Sequence, residues 1–217
     1  MSINRVARNK VVARVMGAMF AVTAGTVVYH EGTGIGKDGM AHSYLDSASV
    51  WTICSGDTDG VKPGQVETPA QCQARLRKSI EKHAQALSAL PERTPDYAVL
   101  AAVDFAYHVG VYGAKNSTTF KLLEAGDPVG AAAAIQSWKY ITDDSKRGKP
   151  GWSFIKGHYR YDCSVPGNKV CSGIWKRRMW QMDTMAGKLG TAEQAKAALA
   201  RYDRAYAQGG NWIIPDK

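Results

Sequence analysis

The feature that most constrains this chain is its beginning. Arg5, Arg8, Lys10 and Arg14 precede an uncharged stretch from Val15 to Tyr29, and no acidic residue occurs before Glu31. As a helix those residues measure roughly 22 Å, short of the ~30 Å hydrocarbon core of a bilayer. Begun at Val11, with Arg14 snorkelling to the interface, the helix reaches roughly 28 Å and just spans. Gly17, Ala18, Ala21, Thr23, Ala24, Gly25 and Thr26 lie inside the stretch, so its affinity for lipid is weak. Two readings follow: a signal peptide cleaved near Ala24, or a core helix of the folded protein. The basic, acid-free flank favours the first. Positive charge holds the N-terminus in the cytoplasm and sends everything after Tyr29 across the membrane. The boundary expected is therefore 1–29 for the targeting segment and 30–217 for the exported domain.

The 217 residues suffice for one core with a second lobe. Hydrophobic and charged fractions of 45% and 22% exclude a disordered or fibrous chain. A polytopic membrane protein is excluded too, because only one apolar run has useful length. Lys and Arg outnumber Asp and Glu by 28 to 19, a net +9. Such an excess suits nucleic acid, acidic lipid or a cell-wall polymer, and export removes nucleic acid from that set. An oxidising compartment also favours disulfides over reduced thiols. Cys163 and Cys171 bracket a loop with Pro166, Gly167 and Asn168 and suit a local bridge, which leaves Cys54 and Cys72 paired or free. His30, His42, His83, His108 and His158 show no ligand spacing, so no metal or other cofactor is expected.

Past the segment, 31–67 is rich in Gly, Ser, Thr and Asp with short β-branched pieces such as Val50-Trp51-Thr52-Ile53, a pattern of turns and a small sheet. Helices take over from 68 to 217. Thr68-Pro69-Ala70-Gln71 and Thr191-Ala192-Glu193-Gln194 are helix starts, as are Thr94-Pro95-Asp96 and Asp127-Pro128. Tyr97 to Val109 is apolar all round except Asp104 and His108, the pattern of a central core helix. The fold class expected is α+β, mostly helical, with a small sheet lobe and a larger helical lobe. From Lys146 to Arg178 basic residues interleave with Trp152, Phe154, Tyr159, Tyr161 and Trp175. That zone suits a polyanionic glycan or single-stranded nucleic acid, or is a solvated basic loop.

Hydrolysis of a glycosidic bond needs one carboxylic acid to protonate the leaving oxygen and a second carboxylate to attack or to activate water. Glu31 and Asp46 are candidates by position, with the Thr52 hydroxyl available to hold a water. Glu31-Gly32, Tyr44-Leu45-Asp46, and Trp51-Thr52-Ile53-Cys54-Ser55-Gly56-Asp57-Thr58 follow one another in that order. Phe105-Ala106-Tyr107-His108-Val109-Gly110, Leu122 to Asp127 and Gly173-Ile174-Trp175-Lys176-Arg177-Arg178 come later. Together these motifs, over Glu31 to about Met185, resemble the phage lysozymes of glycoside hydrolase family 24. The resemblance implies a lysozyme-like fold and a monomeric muramidase that cleaves the β-1,4 bond of peptidoglycan and lyses the host. It makes Glu31 the general acid, Asp46 the carboxylate that activates water in an inverting reaction, and Thr52 its assistant. It also adds a third reading of 1–29. In signal-anchor-release endolysins an uncleaved segment holds the enzyme at the inner membrane, then leaves the bilayer and joins the periplasmic enzyme. The chain departs from the family pattern in three places. Fifteen residues separate Glu31 from Asp46 where about nine are usual, implying a flexible Gly-rich insertion at 32–42. Asp57 stands in place of a His, and His108 in place of an Asn. The alternatives are a lytic transglycosylase, which needs no second carboxylate, and a non-catalytic cationic binder of wall or membrane. His30 reads as an exposed residue at the membrane boundary.

Overall fold

The computed structural model describes residues 9–46 and 49–207, with side chains as far as Arg204. Arg5 and Arg8 of the basic flank lie outside the described residues. The N-terminal stretch forms two helices, α1 (Lys10–Met16) and α2 (Phe20–Glu31), bent by 70° at Gly17 to Met19. Asn9 caps α1 by accepting the N–H groups of Val11 and Val12. Among the described residues no single helix is long and apolar enough to cross a membrane, although this bent pair together meets the length and composition. In the folded protein the pair is part of the core. Val11, Val15, Met19, Val22 and Val27 are buried.

A small lobe follows. Strands β1 (Ala41–His42) and β4 (Val66–Glu67) pair antiparallel, as do β2 (Tyr44–Leu45) and β3 (Trp51–Thr52). The Gly-rich insertion is a tight turn closed by an Ile35–Ala41 bridge. Gly34 is required there, since a Cβ would stand 2.3 Å from the Cys54 carbonyl oxygen. Cys54 is disulfide-bonded to Cys72, which ties this lobe to the first turn of α3 (Pro69–Ala84).

Helix α3 starts at the Thr68 capping box, with Pro69 in its first turn. Helix α4 (Asp96–Val109) is buried from Ala98 to Phe105 and on to Ala106, and every other long element leans on it. Three short helices, α5 (Val111–Asn116), α6 (Thr118–Glu124) and α7 (Pro128–Ala134), wrap one end of it. Helix α8 (Ser172–Met185) lies along α4. Helices α9 (Ala192–Ala197) and α10 (Leu199–Ala207) are the last described elements, and α2 is held against α4 and α9.

One element departs from the expected helical lobe. Between α7 and α8 the basic, aromatic zone folds as a three-stranded antiparallel sheet in the order β5 (Tyr140–Thr142), β7 (His158–Asp162), β6 (Trp152–Ile155). The residues alternate in the way a sheet requires. Trp152 pairs with Tyr161 and Phe154 with Tyr159 across the strands, their ring centroids 5.7 and 5.2 Å apart. Lys156 and Gly157 both take positive φ, 50° and 84°, and close a two-residue hairpin whose twist matches the strands. The Cys163–Cys171 disulfide closes the loop that leads from β7 to α8.

Candidate active site

The site is built where the N-terminal segment ends. Glu31 is the last residue of α2, and its Oε1 accepts a hydrogen bond from the Arg177 guanidinium at 2.6 Å. Arg177 comes from α8, and its Nε and second amino group bind both oxygens of Asp104 at 3.0 and 2.8 Å. Asp104 is the acid on the apolar face of α4, fully buried, and it also accepts from the Gln181 amide at 2.6 Å. Burial alone raises a carboxyl, but here Arg177, His30 and Gln181 outweigh it and hold Asp104 down at about 2. One guanidinium therefore joins the end of α2 to the centre of the core. That bidentate fork fixes the angle as well as the distance.

Arg178, the next residue, makes no ion pair among the described residues. It donates to the Trp138 carbonyl, to Gln181 and, at 2.6 Å, to His108 Nδ1, and it lies over the Phe105 ring. A guanidinium only donates, so His108 Nδ1 accepts and the ring is neutral, with its proton on Nε2. Burial, with Arg177 and Arg178 beside it, pushes the His108 imidazole down to about 3. His30 lies partly covered beside Trp180, ring centroids 5.5 Å apart, with Nε2 4.0 Å from Asp104. The expectation of an exposed His30 therefore fails, because α2 packs its last turn onto α8.

Glu31 lines one cavity and lies near the wall of a second. One of about 350 Å³ is lined by Glu31 itself with Tyr29, His30, His108 and Arg177. The other, about 710 Å³, is lined by Gly56, Tyr107, His83 and the exposed face of α3. Glu31 Oε2 lies 3.7 Å from where a Cβ on Gly56 would stand, so the acid is close to the wall of the second cavity. Gly56, with φ of +80°, leaves that approach open. Tyr107 donates to the Ser55 carbonyl and so braces the loop carrying Gly56 against α4.

Asp46 and Thr52 belong to the small lobe and line neither cavity. They share the β2–β3 hairpin: Thr52 pairs with Tyr44, and Asp46 follows β2 directly. The Asp46 carboxylate accepts from the Val50 N–H at 2.9 Å, which closes the hairpin turn. Thr52 is buried and donates to the Val50 carbonyl. Asp57, in place of the usual His, is held at 2.8 Å by Arg75, which also grips both oxygens of Glu67. The departure is thus matched by an arginine one helix away. Cys54, Cys72 and Glu67 come close enough to hold a metal, but the disulfide occupies both sulfurs.

Arg177 was not assigned a role by spacing, since it lies 146 residues from Glu31. The signal was nonetheless present. An Arg pair inside a helix that packs on an apolar helix with one acid has that acid as its natural partner.

Over residues 37–151 the chain matches the Phage lysozyme family, a stretch that holds Asp46 and Thr52 and begins past Glu31. It is 29% identical over 147 residues to a SAR-endolysin of Bacteriophage PS119, covering 64% of this chain and 85% of that one. A SAR-endolysin of Pseudomonas phage phiKMV is 30% identical over 135 residues, covering 61% and 84%. Among solved structures, an endolysin from Escherichia coli O157:H7 phage FAHEc1 superposes with a TM-score of 0.57 at 25% identity, covering 77% of this chain and 92% of that one. The muramidase domain of SpmX from Asticaccaulis excentricus shares the fold at 17% identity, with a TM-score of 0.55 and coverage of 75% and 93%.

Proposed function

The chain belongs to the phage lysozyme family, and from that premise we propose that Glu31 is the general acid of a muramidase. The protein is a peptidoglycan-cleaving endolysin, a glycoside hydrolase that lyses the host cell. Glu31 gives its proton to the leaving oxygen of the β-1,4 bond between N-acetylmuramic acid and N-acetylglucosamine. Asp46 activates the attacking water, Thr52 helps to hold it, and the sugar inverts. The observation that carries this reading is the Glu31–Arg177–Asp104 chain at the edge of an open cavity. Such a chain holds the acid in one place relative to the helical core before substrate arrives.

We also propose that residues 1–29 serve twice, first as a membrane anchor after export and then, released uncleaved, as the segment that supplies α1 and most of α2. The relatives named SAR-endolysin support that reading. So does the end of α2, which carries Glu31 and reaches Arg177 only when the segment packs on the helical lobe.

One experiment tests the chemistry. Soluble glycan chains are digested by the wild-type enzyme and by Glu31→Gln, and the new ends are followed by time-resolved NMR. The wild type is expected to release the α-anomer first, and the variant to lose at least about 100-fold in rate. A variant as fast as wild type overturns the role of Glu31. A β-anomer first, or 1,6-anhydro ends, overturns the inverting hydrolysis.

A further inference from the structure

The larger cavity holds charges that cleavage of a sugar–sugar bond does not need. Arg75, Lys78 and Lys82 stand at three- and four-residue spacings on α3, so one helical face presents three cations to the same space. Arg75 is neutralised by Asp57 and Glu67. Among the described residues Lys78 and Lys82 have no ion-pair or hydrogen-bond partner, and both are exposed. The cavity also has three acids in its lining, Asp57, Asp59 and Glu67, of which Asp57 and Glu67 are held by Arg75. The cavity adjoins the acid. Gly56 touches both, and Glu31 acts electrostatically on His83 and Tyr107 of its wall.

The glycan backbone is nearly neutral and is recognised through hydroxyls, acetamido groups and ring faces. The negative charge of this substrate lies on the peptide stems, whose free carboxylates branch from each muramic residue. Two lysines one helical turn apart, four-carbon arms without partners, match such a flexible carboxylate better than they match a sugar. We propose that Lys78 and Lys82 bind the peptide-stem carboxylates of the muramic residue seated next to Glu31. This rests on the muramidase reading above. Solvent-exposed pairs of this kind are weak singly, and two together correspond to roughly a 3- to 10-fold change in KM.

The test uses full-length enzyme and two forms of the same soluble glycan chains, native and with the stem carboxylates amidated. K78Q/K82Q is compared with wild type and with K115Q/K121Q, whose lysines are exposed on α5 and α6 and line neither cavity. On native chains K78Q/K82Q is expected to raise KM about 3- to 10-fold at unchanged kcat, with K115Q/K121Q like wild type. Amidation should raise the wild-type KM to the same level and leave K78Q/K82Q unmoved, the non-additivity of one shared contact. Equal losses in both lysine pairs would mean attraction by net charge alone and overturn the proposal. A loss in K78Q/K82Q without any effect of amidation would point to phosphate groups on the wall and also overturn it, as would no loss. Failure of the wild type to cleave native chains would instead sink the muramidase reading.

Discussion

Arg177 and Arg178 are neighbours on α8 with opposite surroundings, and the contrast governs how the core answers to pH. Arg177 sits between two carboxylates, whereas Arg178 has only neutral acceptors, and burial with Arg177 beside it pulls its guanidinium down to about 9. The neutral His108 is one of those acceptors. Its folded pKa, about 3, lies below the ~6.5 of an unfolded histidine, so the unfolded chain takes up the proton first as pH falls. The native state therefore loses stability from about pH 6.5 downward, by at most ~1.4 kcal/mol per pH unit from this group. Asp104, held at about 2, adds its own loss only below about pH 4. Urea midpoints between pH 6.5 and 4 are expected to fall steadily. In His108→Gln, where an amide oxygen still accepts from Arg178, that slope should flatten, with a remainder from His30 and His83, which burial also lowers. An unchanged slope in the variant would show that His108 is not the group responsible. Asp104 and Glu31 were both legible as residues of note. Their link through Arg177 was not, because spacing along the chain carries no information about which distant helix faces which.

Among the elements, those written in local chemistry were the readable ones. Both capping boxes, at Thr68 and Thr191, form as the Thr-x-x-Gln pattern dictates, since the bonds they make lie within four residues. The β5–β7–β6 sheet was missed because its strands are short and its alternating face is aromatic and basic, a pattern shared with solvated binding loops. Helices α1 and α2 show a different compromise. Their buried positions are Val11, Val15, Val22 and Val27 with the hydroxyl-bearing Thr23 and Thr26, while Ala13, Ala21 and, at the bend, Ala18 are exposed small residues. A bilayer sees every side of the segment, and the folded protein sees one. Leucine at those three exposed positions adds roughly nine methylene-sized groups to the lipid-facing surface, about 7 kcal/mol, without touching the core. Gly25 and Thr26 would be poorer choices, since a Cβ at Gly25 meets the Lys196 side chain and Thr26 is buried. The expected outcome is that A13L/A18L/A21L folds normally when refolded from detergent, yet stays in the membrane fraction and fails to lyse cells. Normal lysis by that variant would remove the anchor role of the segment.

At the scale of the whole molecule helices far apart in sequence, α2, α8 and α10, meet beside Glu31. Tyr29, next to the catalytic turn, donates to Asp203 of α10, and Lys176 binds the same carboxylate at 2.5 Å. A lobed, mostly helical lysozyme fold was readable from the order of its motifs. The place of the first thirty residues was not, because an apolar run with basic flanks is compatible with a signal, an anchor or a core helix. The packing separates these readings by magnitude. Val11, Val15, Met19, Val22 and Val27 are buried, and at ~1.5–3 kcal/mol each they represent roughly 7–15 kcal/mol, as much as the whole net stability of a typical domain. Cleavage near Ala24 would remove Val11, Val15, Met19 and Val22 from that core, and would leave Glu31 at the end of a helix too short to hold itself. A version exported by a heterologous cleavable signal, with its mature chain beginning at Tyr29, is therefore expected to reach the periplasm without lysing cells. Purified, it should lack the cooperative thermal transition of the full-length enzyme, while active wild-type enzyme from the periplasm should carry Met1 or Ser2 at its N-terminus. Full lytic activity in the shortened chain would mean that α1 and most of α2 are dispensable, and the cleaved signal peptide would then be the correct account of residues 1–29.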